Sequence, residues 1–219
     1  MHMNLWGKFS SASVLAFVLL LNSGCRSTYY KTMEKFGVYK RDLLKENVEE
    51  ARDEQKKATE QFKDALTRLR ELYGTPGGDL EKMYDQLQAD FTRSNSRATA
   101  VKERIQKVET VATDLFKEWE QEIGTIQNAR LAADSREKLR STQEKFESLR
   151  SAMKRAEASM EPVLAQFKDQ VLYLKHNLNA QAIGALKGET LDIEKEIQRL
   201  IADMNTSIQQ ADRFIEGLK

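Results

Sequence analysis

"LEKMYDQLQADFTRSNSRATAVKERIQKVETVATDLFKEW", residues 80–119, is the stretch that decides the fold. Core-type residues recur in it at alternating intervals of four and three positions, without a break. They are Leu80, Tyr84, Leu87, Phe91, Ser94, Ala98, Val101, Ile105, Val108, Ala112, Leu115 and Trp119. This alternation, sustained over several heptads, is typical of helices that pack through a coiled-coil seam. A strand would need apolar residues at every second position, so the stretch predicts a long α-helix.

The same spacing extends through most of the chain. It recurs over residues 44–72, where Gln55 is a polar member, and over 139–178, with a slip near Pro162. The last series covers residues 193–218 and runs through Met204, Ile208 and Ala211. Charged residues make up 32% of the chain, which has only 2 prolines and 10 glycines. This composition favours helices throughout.

Three interruptions divide the pattern into four predicted helices. Glycines and a proline between Tyr73 and Asp79 predict a turn, with Asp79 as the N-cap of the next helix. Periodicity is lost from Gly124, and Asp134 has the spacing of a capping box. Gly188 is either a C-cap or a glycine inside a continuous helix. The predicted helices are therefore 28–73, 80–128, 134–187 and 190–217.

Short connections between long helices make neighbours antiparallel. The predicted fold class is therefore all-α: an elongated antiparallel helical bundle or coiled coil, with three long helices and one shorter one. We expect Pro162 to kink or restart the third helix, because proline removes an internal hydrogen bond.

The N-terminus resembles a bacterial lipoprotein signal. Lys8 is the only charged residue before Cys25, and the apolar run 12–21 is too short to span a bilayer. Cys25 is the only cysteine, so it cannot form an intrachain disulfide. The resemblance implies cleavage between Gly24 and Cys25 and lipid attachment to Cys25. Asn22 departs from the usual leucine of this signal. We therefore expect a cleaved signal at 1–24, a lipidated tether at 25–31 and one helical domain at 32–219.

The residue after the cysteine bears on location. In Gram-negative lipoproteins, aspartate at this position retains the protein in the inner membrane, and here the residue is Arg26. The resemblance therefore implies an outer-membrane lipoprotein that faces the periplasm, rather than an inner-membrane one. The expected membrane contact is the lipid on Cys25.

Composition and motifs argue against several classes of function. After residue 24, 34 basic residues balance 34 acidic ones, whereas nucleic-acid binding needs a positive excess. His176 is the only histidine in that part, and no zinc-binding or phosphate-binding motif occurs. We therefore expect no enzyme activity, no cofactor, no metal, no nucleic acid and no small-molecule substrate.

Residues 170–189 form the segment with the densest apolar pattern. One interpretation is that the fourth helix packs back against it. The other is a surface for an envelope protein or for self-association. The candidate interaction residues are Tyr173, Lys175, His176, Asn177 and Asn179.

Several short segments together resemble a bacterial family. They are Cys25-Arg-Ser-Thr-Tyr-Tyr, Gly77-Gly-Asp-Leu, Met160-Glu-Pro-Val and Val171-Leu-Tyr-Leu-Lys-His-Asn-Leu-Asn-Ala180. In this combination they resemble the family catalogued as domain of unknown function 2959, over nearly all of the chain after the signal. The resemblance implies a Gram-negative, secreted, helical, lipoprotein-like protein and assigns no activity.

The sequence therefore predicts a non-enzymatic, lipid-anchored periplasmic coiled-coil protein that acts as a scaffold, spacer or adaptor in the cell envelope. One alternative is a helical protein that associates with the bilayer along its body. Another is a cell-wall hydrolase that uses a pair of carboxylates, which would need a cleft that separates their pKa values.

Overall fold

The computed structural model describes residues 39–74, 79–177 and 180–218. The chain divides into two compact units, Met1–Leu43 and Leu44–Lys219. In the first unit the described residues begin a helix, where the Tyr39 carbonyl accepts hydrogen bonds from the backbone amides of Asp42 and Leu43. The predicted signal peptide and tether lie outside the described residues.

Four α-helices make up almost all of the described chain, which contains no strand within those ranges. They are α1 (Lys40–Gly74), α2 (Leu80–Ile123), α3 (Ala129–His176) and α4 (Ala180–Gly217). The prediction of an all-α antiparallel bundle is confirmed.

Polar contacts at complementary positions show that neighbouring helices run antiparallel. Between α1 and α2, Glu50 pairs with Arg104 near one end and Arg68 with Asp90 near the other. Between α1 and α4, Arg52 pairs with Asp212 and Arg70 with Glu194.

The other two interfaces show the same antiparallel arrangement. Arg150 of α3 contacts Glu109 of α2, and Ser159 of α3 donates a hydrogen bond to Asp203 of α4. Each helix therefore contacts the one before it and the one after it, and α4 closes onto α1.

The core follows the predicted seams closely. The largest fully buried side chains are Phe62, Phe167, Leu44, Leu69, Leu87, Ile105, Ile123, Leu139, Leu149, Met153, Leu174 and Ile193. Burial of these apolar surfaces is the main favourable term in the stability of the bundle. Alanines such as Ala58, Ala112 and Ala156 are also buried, which lets neighbouring helices approach closely.

Helix boundaries correct the sequence-based prediction at its interruptions. Asp79 caps α2 as expected, since its Oδ1 accepts from the amides of Glu81 and Lys82 at 3.1 and 3.2 Å. The predicted boundaries of 128 and 134 are wrong. Helix α2 ends at Ile123, and α3 begins at Ala129 because Asn128 serves as its N-cap, with Oδ1 to amide distances of 3.0 and 3.2 Å.

The prediction of helices at 134–187 and 190–217 is also wrong. Helix α3 ends at His176. There the Asn177 side chain donates a hydrogen bond to the Tyr173 carbonyl at 3.0 Å, which gives this carbonyl a partner that the helix itself does not supply. Gly188 lies inside α4, so the fourth helix is longer than predicted. No atom lies within 4 Å of the position where a Cβ would stand at Gly188, so packing does not require glycine there.

Two further expectations need correction. Helix α1 begins at Lys40 and Tyr39 lies outside it, whereas the prediction had the helix continue through this position. The predicted part at 28–38 lies outside the described residues. Helix α3 continues through Pro162 without the expected restart, and the seam proceeds through Val163. Pro162 lies on the exposed face, where water can satisfy the freed carbonyl.

Candidate interaction surfaces of the bundle

The predicted interaction segment lies at the end of α3, and the structure divides it into a buried and an exposed side. Val171 and Leu174 are buried, whereas Leu172 and Tyr173 are 46% and 40% exposed. The apolar residues 171–174 are therefore buried on one side of the helix only. Leu186 of α4 is buried, as expected if the fourth helix packs back on this segment.

The polar members of the segment are solvent-accessible. Lys175 and His176 are exposed in the last turn of α3, where positive charge is favourable near the C-terminal carbonyls. Asn177 is partly buried and caps the helix, with its backbone amide donating to the Leu174 carbonyl at 3.2 Å. Asn179, Cys25 and Gly24 lie outside the described residues.

A groove of about 540 Å³ runs between α3 and α4 beside this segment. Its lining includes Asp169, Gln170, Tyr173, Ala185, Leu186 and Asp192. Leu191, which follows on α4, is 66% exposed. We use the name α3–α4 surface for exposed residues Leu172, Tyr173 and Leu191 and this groove. Because α1 extends roughly 45 Å from Leu44 to Gly74, the surface lies far from the Leu44 end of the bundle.

A second surface lies at the opposite end, where α2 and α3 are joined, and the sequence-based prediction missed it. Leu131 in the first turn of α3 is 58% exposed. Beneath it, Ile123, Ala132 and Leu139 form a small apolar cluster, against which Phe116, Trp119 and Ile126 pack while partly buried. The indole Nε1 of Trp119 donates to Ser135 Oγ at 2.9 Å, which joins the two helices.

A buried polar layer joins α1 and α4 inside the bundle. Gln55 and Ser207 are fully buried, and Ser207 Oγ donates to Gln55 Oε1 at 2.9 Å. Thr59 Oγ1 donates to the Gln55 carbonyl at 2.8 Å and lies 3.2 Å from Met204 Sδ. Gln55 Nε2 is buried and has no hydrogen-bond partner among the described residues. The sequence predicted Gln55 in the seam, but it placed Ile208 there instead of Ser207.

A buried carboxylate joins α1 and α2. Asp90 is 2% exposed and accepts from Arg68 through both oxygens, with Nε distances of 2.9 and 2.8 Å. Arg93 donates to the same carboxylate at 2.5 Å. The hydrogen bonds from Arg68 to Asp90 raise the pKa of the Arg68 guanidinium, so Arg68 stays charged at neutral pH. The arrangement fits a structural role, because both cations already neutralise the carboxylate.

Within the described ranges, no group of three or more His, Cys, Asp or Glu side chains is placed to hold a metal ion. In the same part of the chain, no helix is long and apolar enough to cross a membrane.

These features define the class: an all-α bundle of long antiparallel helices, with ion pairs and a buried polar layer between neighbouring helices. The chain belongs to the family described as "Protein of unknown function (DUF2959)", whose model matches residues 29–218. This match confirms the resemblance that the sequence motifs indicated. No curated protein and no solved structure matches the chain.

Proposed function

We propose that this protein is a non-enzymatic, lipid-anchored scaffold of the bacterial cell envelope that holds an envelope protein at its α3–α4 surface. The observation that carries the proposal is the exposure of Leu172 and Tyr173 beside a groove, at one end of a bundle whose outer faces are largely charged. Exposed apolar side chains rimmed by polar ones are typical of protein–protein contacts.

Position supports the same proposal. The proposed anchor, Cys25, precedes α1, and the α3–α4 surface lies roughly 45 Å along α1 from Leu44. A partner bound there would be held away from the lipid. We place the anchor in the outer membrane, with the helical domain in the periplasm, on the basis of the signal-like N-terminus and Arg26.

The partner contact is tested by in-cell photo-crosslinking with a photoreactive amino acid at Tyr173. The control places the same amino acid at Lys138, which is exposed on α3 toward its other end. We expect one discrete envelope protein crosslinked from position 173 and none from 138. Equal products from both positions, no product, or a crosslink only to a second copy would contradict the adaptor.

The anchor is tested separately by mass spectrometry of the mature N-terminus. We expect an acylated Cys25 as the first residue and recovery of the protein with the outer-membrane fraction. An unmodified thiol, or an N-terminus at another residue, would contradict lipid anchoring whatever the crosslinking shows.

A further inference from the structure

We propose that the α2–α3 tip, residues 123–133, is a second membrane contact that rests on the lipid surface beside the acyl anchor. This inference rests on the proposed lipid anchor and adds a lipid-binding site to it. The ligand is the interfacial region of a phospholipid bilayer.

The tip combines apolar exposure with low charge. Leu131 is 58% exposed and Ile126 is partly exposed in the connecting loop. Arg130 is the only charged residue among positions 123–133, although 32% of the chain is charged. Placing this segment against lipid therefore desolvates few charges within it, and the exposed carboxylates of Glu122 and Asp134 that flank it can stay in the headgroup region.

Part of the loop backbone is already paired within the tip. The Thr125 amide and hydroxyl both donate to the Glu122 carbonyl, at 2.9 and 2.7 Å, and the Ile126 amide donates to the Ile123 carbonyl at 3.2 Å. Asn128 caps the start of α3. These groups keep their partners when the tip contacts the interface, and the remaining loop groups can pair with the water and headgroups of the interfacial region. Trp119, with its indole N–H bonded to Ser135, stands behind this loop, and tryptophan is enriched at membrane interfaces.

The register of the helices places the tip at the end from which the chain leads back to Cys25. Because Glu50 pairs with Arg104 in an antiparallel arrangement, Leu44 lies level with residue 110 or so of α2. Helix α2 continues to Ile123, about 20 Å further along the bundle. Residues 26–39 span at most about 50 Å when extended, so a lipid on Cys25 can lie in the bilayer that the tip touches.

The test is a depth measurement on the lipidated full-length protein in vesicles of phosphatidylethanolamine and phosphatidylglycerol. Once Cys25 is acylated, Leu131→Cys provides a single thiol for an environment-sensitive dye. The matched control is Leu191→Cys, a similarly exposed leucine at the other end of the bundle, 66% against 58% exposed. Quenching by phospholipids brominated on their acyl chains reports contact with lipid.

We expect emission from position 131 to shift to the blue and fall about twofold on quenching, with no change at position 191. An unquenched dye at 131 on protein that floats with the vesicles would overturn the tip contact and leave the anchor standing. Quenching at both positions would also overturn it, because the body would then lie along the bilayer.

The experiments distinguish failure of the proposed lipid anchor from failure of the proposed tip contact. Protein with an unmodified Cys25 shows failure of the anchor by mass spectrometry. The same vesicle experiment, with Cys25→Ser added so that Leu131→Cys remains the single thiol, then tests the tip alone. Quenching confined to 131 would still support the tip contact, and its absence would overturn it.

Discussion

Replacing the buried polar pair Gln55 and Ser207 with apolar residues should stabilise the protein. Gln55 Oε1 accepts one hydrogen bond, from Ser207 Oγ at 2.9 Å, while Gln55 Nε2 is buried without a partner among the described residues. A buried unpaired donor costs about 1–3 kcal/mol, whereas one neutral hydrogen bond contributes about 1 kcal/mol net. Removal of both groups in Gln55→Leu/Ser207→Ala should therefore raise the free energy of unfolding by about 1–2 kcal/mol.

The two single substitutions should behave differently from one another. Ser207→Ala alone leaves both ends of the Gln55 amide unpaired, so it should destabilise the bundle by about 1–3 kcal/mol. Gln55→Leu alone should give a gain similar to that of the double variant, because it removes the unpaired Nε2 and the Ser207 hydroxyl can turn to the carbonyl four residues earlier in its own helix. The two changes are therefore expected to be strongly non-additive.

The assay is urea and thermal unfolding followed by helical circular dichroism. A gain of 1–2 kcal/mol corresponds to a rise in Tm of roughly 2–8 °C for a domain of this size. Gln198→Leu, on an exposed face of α4, is the control and should change stability by less than about 0.5 kcal/mol. A double variant less stable than the parent would refute the reasoning, and would indicate that Nε2 has a partner such as a buried water.

Three other substitutions test the fold in the same assay. Asp90→Ala should lower the free energy of unfolding by about 2–3 kcal/mol. This loss is smaller than the loss expected for a fully buried ion pair, because Arg68 is one-third exposed and water can solvate it once the carboxylate is gone. A loss of stability below about 1 kcal/mol would contradict the structural role of Asp90. Pro162→Ala should stabilise α3 by about 1–2 kcal/mol by restoring a backbone hydrogen bond, and a lower Tm would show that the bundle requires the proline. Phe146→Ala should cost about 3–5 kcal/mol, because the ring is buried and meets two others edge-on at 5.5 and 5.8 Å; a small loss would mean that the site collapses around the alanine.

The hydrophobic pattern was sufficient to predict the fold class and most of the core. Residues such as Val101, Ile105 and Val108 occupy the seam, and their burial follows from spacing alone. The pattern gave a wrong prediction at a position where a hydrogen bond between helices, rather than hydrophobicity, determines which residue is buried. After Met204 the alternation can reach position 207 or 208, and hydrophobicity favours Ile208. Ser207 is buried in the structure because Gln55 on α1 faces it. The hydrophobic pattern of one helix does not indicate which residue of another helix will face it.

Helix ends were predicted less well, for a related reason. Asp134 had the spacing of a capping box, yet Asn128 caps α3, and both are good N-cap residues. The choice depends on Ala132, which is buried against Ile123 and so requires the helix to have started before it. At the other end of α3, Asn177 ends the helix well before Gly188, where the glycine alone had suggested a boundary. Local propensity indicates possible ends, and tertiary packing selects among them.

The polar contacts between helices fix how the helices are aligned, and this alignment determines where the two exposed surfaces lie relative to one another. A slip of α1 against α4 by one heptad would separate Gln55 from Ser207 and Arg52 from Asp212, and would leave the buried Gln55 amide oxygen without its donor. Such polar contacts contribute modest stability but specify alignment, as a polar seam residue does in a coiled coil. A fixed alignment holds the α2–α3 tip and the α3–α4 surface at a constant separation along α3. Constant separation is what a spacer between a membrane and a bound protein requires, so a variant that loses register should lose the crosslink from Tyr173 before it loses helicity.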